Sequence, residues 1–501
     1  MPCIRQAVPL HSVSPSVSNL SMTDHLKCHL MSFRAKSRNL NKMKRIIYIL
    51  AICASGLTSC TKFLDIKPYG QTIPKTADEF SSLLNTTLEA IDYGEEVIIG
   101  NVSSIVNLES YADDLEANLT SYPLGNYIAL YVGDHISSKQ TRYGDLYESI
   151  RDCNIIIDNL EEKDTRLGKD VLGTAHAIRG ICYYNLLRDF CEPPVGNLQG
   201  HGVPMVIKFD MEGRPLRSTI QVTVAQIESD FNAAITYGIE DPMYRFNSDI
   251  MEGYLARLYF WVGDWANAVK YARLVIGKYP LMSGDAYLNM MQTASMRNSN
   301  ILFIGGALSD ANSNQASASS IRVLSSRPVS VSFIRLFAEG EKDVRYALSF
   351  NKKREFKKNL MSCIRSAEMQ LILAESLYHQ KDYTGALAAL NELRRNRIEG
   401  TADYSMETLP PVDESARITV DVYGEPLTPL LNAILNERRK ELFLEGDRWY
   451  ELKRNGRPEF WAAKDGYKRT TRKFMYTFPL PIQDVELVDG LVQNPGYDKV
   501  Q

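Results

Sequence analysis

The feature that most restricts the fold of this chain is a repeat, in which two segments 118 residues apart place similar residues at the same offsets. The first reads LARLYFWVGDWANAVKYARLVIGKYP and the second LAESLYHQKDYTGALAALNELRRNR. The matching pairs are Ala256 and Ala374, Tyr259 and Leu377, Gly263 and Lys381, Trp265 and Tyr383, and Ala268 and Ala386. Small residues at three- and four-residue steps let two helices pack closely around a tight turn. The repeat therefore predicts two helical hairpins.

Both hairpins fit the tetratricopeptide pattern, although any helix-rich protein can supply two unrelated hairpins with similar spacing. The coincidence of the two turns, Asp264-Trp265 and Asp382-Tyr383, favours a true repeat. A separation of 118 residues is too long for one repeat period. We therefore expect an insertion between the two units, from about residue 281 to 360.

Amphipathic helices are also expected elsewhere. Apolar residues recur at helical steps in 143–160 and 175–190, and a further helix is expected at about 80–91. The stretch 95–140 is instead rich in Gly, Asn, Ser and Asp, so loops and short turns are expected there. Together these patterns predict a mostly α fold, with tetratricopeptide-like helical hairpins on one side and long irregular loops and inserts on the other.

The segment from Leu435 to Gly456, LNERRKELFLEGDRWYELKRNG, combines dense charge with bulky aromatic residues. Its glutamates recur four residues apart among basic residues: Glu437, Glu441 and Glu445 with Arg438, Arg439 and Lys440. A solvated face with weak ion pairs is the usual explanation of such a pattern. Because Phe443 and Trp449 flank the charges and favour burial, we predict a partly buried ion-pair joint between two helices, the second capped by Asp447.

Residues 43–60, MKRIIYILAICASGLTSC, have a basic start, an apolar run and small residues at the end. An ordinary secretory signal with an incidental cysteine, or a short buried helix, would also explain the run. Its last four residues, LTSC, resemble a bacterial lipobox, which predicts a lipoprotein signal peptide over 43–59 and acylation of Cys60. Several acyl chains on one cysteine give durable membrane anchoring. We expect residues 1–42 to be disordered and to precede the true initiator, Met43.

Composition and motifs exclude several function classes. A formal net charge of -3 gives no electrostatic basis for binding nucleic acid. No apolar run after residue 60 approaches the ~20 residues of a membrane span. Seven histidines, three of them before Met43, and no HExxH, GxSxG, GxGxxG or Walker-type motif leave little basis for catalysis. We predict no enzymatic activity, no catalytic residues, no metal site and no cofactor.

The cysteines of the expected mature chain show no metal-binding spacing. Besides Cys60 they are Cys153, Cys182, Cys191 and Cys363. Cys182 and Cys191 would be roughly 13 Å apart in a continuous helix, which is too far for a disulfide. We expect buried thiols, and a disulfide between a more distant pair stays open.

Three segments carry a resemblance to a known family. NERRKELFLEGDRWYELKR resembles the C-terminal signature of the SusD/RagB family of Bacteroidetes outer-membrane lipoproteins, and FPLPIQDVELVDGLVQNPGY resembles the family's ending. FLDIKP, shortly after Cys60, resembles its N-terminus. The resemblance implies a single SusD-like domain over 60–501. It also implies non-covalent nutrient binding, usually of a glycan, for a SusC-like TonB-dependent transporter, with the inserts on the ligand-facing side.

Candidate ligand contacts follow from the chemistry of sugars. Sugar rings stack their C–H surfaces on flat aromatic faces, and amide or carboxylate groups bind their hydroxyls. The loop-rich stretch supplies such residues, and we predict six ligand contacts: Tyr111, Tyr122, Tyr127, Asp113, Asp114 and Asn126. The four tryptophans lie in or beside expected helices, where helix packing is the simpler role: Trp261, Trp265, Trp449 and Trp461.

Three functions are compatible with these observations. The first is a cell-surface lipoprotein of the outer membrane that captures an oligosaccharide, or alternatively a peptide, and delivers it to a SusC-like transporter. The second is a periplasm-facing tetratricopeptide-like adaptor that binds only proteins. The third is an exported hydrolase. Glycan binding separates the first from the second, because an adaptor should bind none.

Overall fold

The structure of the protein, a computed structural model, describes residues 74–92, 102–116, 139–210, 212–293, 301–308, 324–464 and 467–497. These residues all belong to one compact unit that begins at Ile73. The predicted leader 1–42, the predicted signal peptide 43–59 and Cys60 lie outside the described residues.

Fifteen α-helices dominate the described ranges, which confirms the mostly α fold. They are α1 (Ala77–Asp92), α2 (Val102–Tyr111), α3 (Lys139–Asn159), α4 (Arg166–Phe190), α5 (Ile220–Tyr237), α6 (Ser248–Val262), α7 (Trp265–Lys278), α8 (Gly284–Thr293), α9 (Val331–Ile334), α10 (Val344–Ser349), α11 (Ser366–His379), α12 (Tyr383–Arg395), α13 (Pro429–Glu441), α14 (Arg448–Arg454) and α15 (Ile482–Leu487). Short 3-10 helices occur at Pro242–Tyr244, Gly340–Lys342 and Lys473–Tyr476.

Six short strands in the same ranges form three antiparallel pairs. They are β1 (His201–Pro204) with β2 (Arg217–Thr219), β3 (Ile301–Leu308) with β4 (Leu360–Arg365), and β5 (Phe460–Lys464) with β6 (Tyr467–Thr471). In the second pair Ile301 lies opposite Arg365 and Leu308 opposite Leu360. The strands supplement the helical body and do not form a continuous sheet among the described residues.

The predicted helical hairpins are confirmed. Helices α3 to α7 pack each against the next along the chain, α7 packs on α11, and α11 packs on α12 and α13. Ala256 and Ala374 are completely buried where the hairpin helices meet. The two hairpins are therefore neighbours in space, although helices α8 to α10 and strands β3 and β4 lie between them in sequence.

The two hairpin turns are equivalent in detail. Asp264 caps α7 by accepting a hydrogen bond from the backbone N–H of Asn267, and Asp382 caps α12 in the same way. The residue before each aspartate has a left-handed backbone, with φ of +80° at Gly263 and +66° at Lys381. Glycine adopts this conformation without a steric penalty, whereas a lysine in the same conformation is sterically strained. The second turn keeps the shape of the first at the cost of local strain.

The expectation of loops and short turns over 95–140 is wrong for residues 102–111, which form α2. Serine and asparagine make this segment a weak helix former by itself. Ile105 and Val106 are nevertheless buried, and α2 packs against β4 and α14. Tertiary packing of its apolar face stabilises this helix against its low propensity.

The cysteines within the described ranges are buried, and no disulfide joins any two of them. They are Cys153, Cys182, Cys191 and Cys363. This agrees with their expected role as small apolar residues. No helix in the described part of the chain is both long enough and apolar enough to cross a membrane.

Candidate ligand-binding site

The joint between α13 and α14 holds a buried cluster of ion pairs. At its centre Glu441 accepts hydrogen bonds from Arg345, Arg365 and Arg397. Nη1 of Arg365 lies 2.5 Å from Oε1 of Glu441, and Nε of Arg397 lies 2.9 Å from Oε2. Burial by itself raises the pKa of Glu441, but the three guanidinium groups outweigh it and hold the pKa well below its ordinary value. Glu441 is therefore an ionised carboxylate in the interior.

Glu437, one turn earlier in α13, and Glu445, four residues beyond Glu441 in the turn that follows α13, extend this cluster on either side. Glu437 pairs with Arg345 and Arg394, and Glu445 pairs with Arg365. Burial opposes ionisation of Glu437, yet the neighbouring cations lower its pKa to about 2. The predicted ion-pair joint is confirmed, and its burial is more complete than expected.

Asp447 has a different role from the predicted one. Its side chain makes no capping hydrogen bond to α14. It accepts two hydrogen bonds from Arg438, with Nε 2.8 Å from Oδ2 and Nη2 2.7 Å from Oδ1. The prediction that Asp447 caps α14 is therefore wrong. The physical reason is that a bidentate pair with a buried guanidinium is a stronger interaction than a hydrogen bond to a backbone N–H at the helix start.

Two of the predicted ligand residues are bound to this joint by ion pairs. Nε of Arg439 lies 2.6 Å from Oδ1 of Asp114, and Nε of Arg448 lies 2.7 Å from Oδ1 of Asp113. Burial raises the pKa of Asp113, but Arg439 and Arg448 together hold it below its ordinary range. Asp114 is completely buried. Both carboxylates fix the end of α2 to the α13–α14 joint.

Tyr111 is also packed into this region. Its side chain is 2% exposed, and its ring meets the ring of Trp449 edge to face, with centroids 5.4 Å apart. The other three predicted ligand contacts, Tyr122, Tyr127 and Asn126, lie outside the described residues.

A cleft of about 290 Å³ lies beside Tyr111 and Asp113, both of which line it. The rest of its lining comes from their neighbours within 110–116, from Arg327 and residues 330–332 of the insertion, from Arg417, and from the start of β5 at 460–462. Four parts of the chain that are distant in sequence therefore meet here. We call this feature the Trp461 cleft, after its exposed aromatic residue.

Trp461 is 38% exposed, so the prediction that all four tryptophans pack between helices is wrong for this one. It lies on β5, where Phe460 and Ala462 on either side are 8% and 6% exposed. Because side chains alternate along a strand, burial of these two neighbours turns the indole outwards. The ammonium group of Lys468 lies 4.8 Å from the centre of its ring. A strand predicted after Pro458 would have placed Trp461 on the face opposite Phe460 and Ala462, and this was the signal in the sequence that could have identified it as exposed.

Hydrogen bonds between the walls hold the Trp461 cleft together. Buried Arg327 donates to the carbonyl oxygens of Ser110 at 2.7 Å and Glu116 at 3.1 Å. Burial lowers the pKa of Arg327 to about 10. The Glu116 carboxylate accepts a hydrogen bond from the backbone N–H of Val331 and pairs with Arg354. These hydrogen bonds and the ion pair thus join the insertion and the end of α2 into one wall of the cleft.

The arrangement suits binding more than catalysis. The cleft combines an indole face with carboxylate, guanidinium and hydroxyl groups on walls that are hydrogen-bonded to each other. This is the chemistry that orients a polar ligand. No cluster of three or more potential metal ligands occurs among the residues that the structure describes.

Two family models match the chain. The model described as the SusD family covers residues 342–497, and the model described as starch-binding associating with outer membrane covers residues 62–260. The chain belongs to the SusD/RagB family. No curated protein sequence matches it.

Solved structures share the fold. A SusD superfamily protein of Bacteroides thetaiotaomicron has a TM-score of 0.65 at 22% identity, covering 84% of this chain and 100% of its own. A SusD-like carbohydrate binding protein of Bacteroides vulgatus has a TM-score of 0.60 at 18% identity, covering 83% and 98%. A laminarin binding SusD-like protein has a TM-score of 0.57 at 19% identity, covering 85% and 100%.

Proposed function

We propose that this protein binds an oligosaccharide in the Trp461 cleft without altering it chemically. The observation that carries the proposal is the exposed indole of Trp461 beside polar walls that are held together by hydrogen bonds. A sugar ring would stack its C–H surface on the indole, and the side chains of Glu116 and Arg417 would bind its hydroxyls. Similarity to proteins described as carbohydrate binding and laminarin binding supports the ligand class.

The ion-pair joint prepares the site for binding. Asp113 lines the cleft while Arg448 holds its carboxylate in place, and α2 is attached to the joint in the same way through Asp114. A site that is already ordered loses less conformational entropy when the ligand binds. Asp113 also stays ionised at neutral pH because its pKa is held low, so it has no proton to donate as a general acid. This supports a binding protein over a hydrolase.

The remaining predicted contacts are part of the same proposal. Tyr111 lines the cleft but offers little free surface, so its role is to support the walls. Tyr122, Tyr127 and Asn126 follow Glu116 in the sequence, and we assign them to contacts with the ligand beyond the described walls.

Membrane attachment and delivery complete the proposed function. Lipid on Cys60 anchors the protein in the outer membrane, with the cleft at the cell surface, and the captured oligosaccharide passes to a SusC-like TonB-dependent transporter. The lipobox-like LTSC and the description of the matching family model support this location. Cys60→Ala should abolish incorporation of radiolabelled palmitate in cells. Persistent labelling of that variant would refute the anchor.

The binding proposal is tested by calorimetry against a panel of oligosaccharides. Trp461→Ala should lower affinity by about tenfold or more, which corresponds to about 1.4 kcal/mol. Its matched control is Tyr383→Ala, which removes another exposed aromatic residue, 44% accessible and located at the start of α12. Equal affinities of the Trp461→Ala and control proteins would refute the site. Absence of binding to every glycan would favour the adaptor.

A further inference from the structure

A second groove, of about 710 Å³, lies on the helical-hairpin part of the protein. It is lined by the turn over residues 195–200, by Val262 and Gly263 at the α6–α7 turn, and by Tyr423. We call it the Tyr423 groove. None of these residues belongs to the Trp461 cleft.

Tyr423 is an exposed ring in a fixed position. Its side chain is 55% exposed, yet its hydroxyl accepts a hydrogen bond of 2.8 Å from Nε1 of Trp265. Its ring also meets those of Trp265 and His379 edge to face, with centroids 6.5 Å and 5.6 Å apart. The Asp421 carboxylate fixes the backbone by accepting hydrogen bonds from the N–H groups of Tyr423 and Glu425. An aromatic face is thus presented to solvent with little freedom to lose on binding.

The turn on the other side of the groove supplies amide groups. Asn197 and Gln199 line the groove, and exposed Leu198 lies between them. Backbone hydrogen bonds from Asn197 to Pro194 and from Gly200 to Asn197 hold this turn. Nε2 of Gln199 donates a hydrogen bond of 2.7 Å to Oε1 of Gln221, which holds its amide in place with the carbonyl oxygen as an acceptor. An aromatic face opposite the Asn197 amide and this oxygen has the chemistry required for a saccharide, with C–H surface against the ring and hydroxyls on the amide groups.

The two sites are close along the chain. Arg417 lines the Trp461 cleft, and Tyr423 lies six residues later. Six residues span at most about 22 Å even when fully extended. Ile418 and Asp421 are buried between them, which anchors the connecting segment to the body of the protein.

From this geometry we propose that the Tyr423 groove is a second saccharide-binding surface, which contacts a distant part of a long oligosaccharide whose other end occupies the Trp461 cleft. The inference rests on the proposed function. Once one end of the ligand is bound, contact with the second surface is intramolecular and adds affinity without a tight second site. Short oligosaccharides occupy the Trp461 cleft alone.

The test measures affinity against ligand length. Laminari-, malto-, xylo- and manno-oligosaccharides, from disaccharide to heptasaccharide, are titrated by calorimetry into the full-length protein. In the series that binds, the heptasaccharide should bind wild type roughly tenfold more tightly than the trisaccharide. Tyr423→Ala should remove this gain and leave the trisaccharide affinity unchanged. Trp461→Ala should weaken ligands of every length.

Further variants distinguish the loss of a ligand contact from a defect in folding. Tyr423→Phe keeps the ring and should retain most of the gain, and Tyr383→Ala should retain all of it. Gln199→Ala changes the opposite wall at an exposed residue and should reduce the gain without lowering the melting temperature. If both Tyr423→Ala and Gln199→Ala bind the heptasaccharide like wild type, the second surface is refuted and the proposed function stands. If wild type binds no member of any series, both proposals fail.

Discussion

Replacing Glu441 by glutamine tests the central physical claim about this fold, that a buried carboxylate holds three arginines together. The substitution keeps the size of the side chain and removes its charge. Arg345 and Arg365 retain other carboxylates, Asp343 and Glu445 respectively. Arg397 would retain no carboxylate, because Glu441 is its only carboxylate partner among the described residues.

The expected loss is large because the charges left behind are buried. Arg397 is 1% exposed, and its remaining contacts are carbonyl oxygens and the ring of Tyr287, 3.8 Å from the guanidinium carbon. Removing one partner of a buried ion pair costs about 3–5 kcal/mol, and Glu441→Gln should lower the free energy of unfolding by this amount. Glu392→Gln is the matched control, since Glu392 pairs with Arg395 and both side chains are nearly half exposed. Its expected effect is below about 1 kcal/mol.

The assay is urea denaturation at several pH values. The folded-state pKa of Glu441 lies well below the ordinary 4.5. Its stabilising contribution is therefore complete above pH 4.5 and is lost as the pH falls towards the folded-state pKa. The difference between wild type and Glu441→Gln should be largest at neutral pH and shrink below pH 4.5. A loss at neutral pH no larger than that of Glu392→Gln would refute the reasoning.

Three further predictions concern single positions. Lys381→Gly should raise the free energy of unfolding by about 0.5–1 kcal/mol in thermal or urea denaturation, because it relieves the left-handed strain that the equivalent Gly263 avoids; a loss would contradict the equivalence of the two turns. Gly446→Ala should destabilise by about 1 kcal/mol or more, since its φ is +73° and a Cβ would lie 3.2 Å from a buried leucine; an unchanged urea midpoint would contradict this. Burial, reinforced by Asp114, raises the pKa of Glu109 to about 8, so this group reduces stability as the pH rises from 4.5 to 8. In urea titrations, the free energy of unfolding of Glu109→Gln should therefore rise relative to that of wild type between pH 5 and pH 8. If the difference between the two free energies does not change with pH, the raised pKa of Glu109 is contradicted.

Local patterns were sufficient for the helices of the hairpins. The spacing of Ala256 and Ala374, and the aspartates that cap α7 and α12, act within a few residues of chain. The charged run around Glu441 was equally readable, because bulky aromatic residues beside charges favour a buried joint over a solvated face. Helix α4 begins at Arg166, well before the predicted 175, since its cap is the hydroxyl of Thr165 outside the apolar pattern.

The candidate site was only partly predictable. Tyr111 and Asp113 were selected for their chemistry and do line the Trp461 cleft, but their burial and ion pairs were not visible in the sequence. Arg439, the partner of Asp114, lies 325 residues away along the chain. Nothing in the spacing of charges indicates which distant arginine a carboxylate meets.

By itself, the sequence determined the helical hairpins, their capped turns and the burial of the charged joint, because periodicity and capping are short-range properties of the backbone. The tertiary structure decided that α7 packs on α11 across the insertion, that α2 is a helix, and that Trp461 faces outwards. These outcomes depend on packing between segments that are remote in sequence, and a weak local preference yields when burial of an apolar face is available.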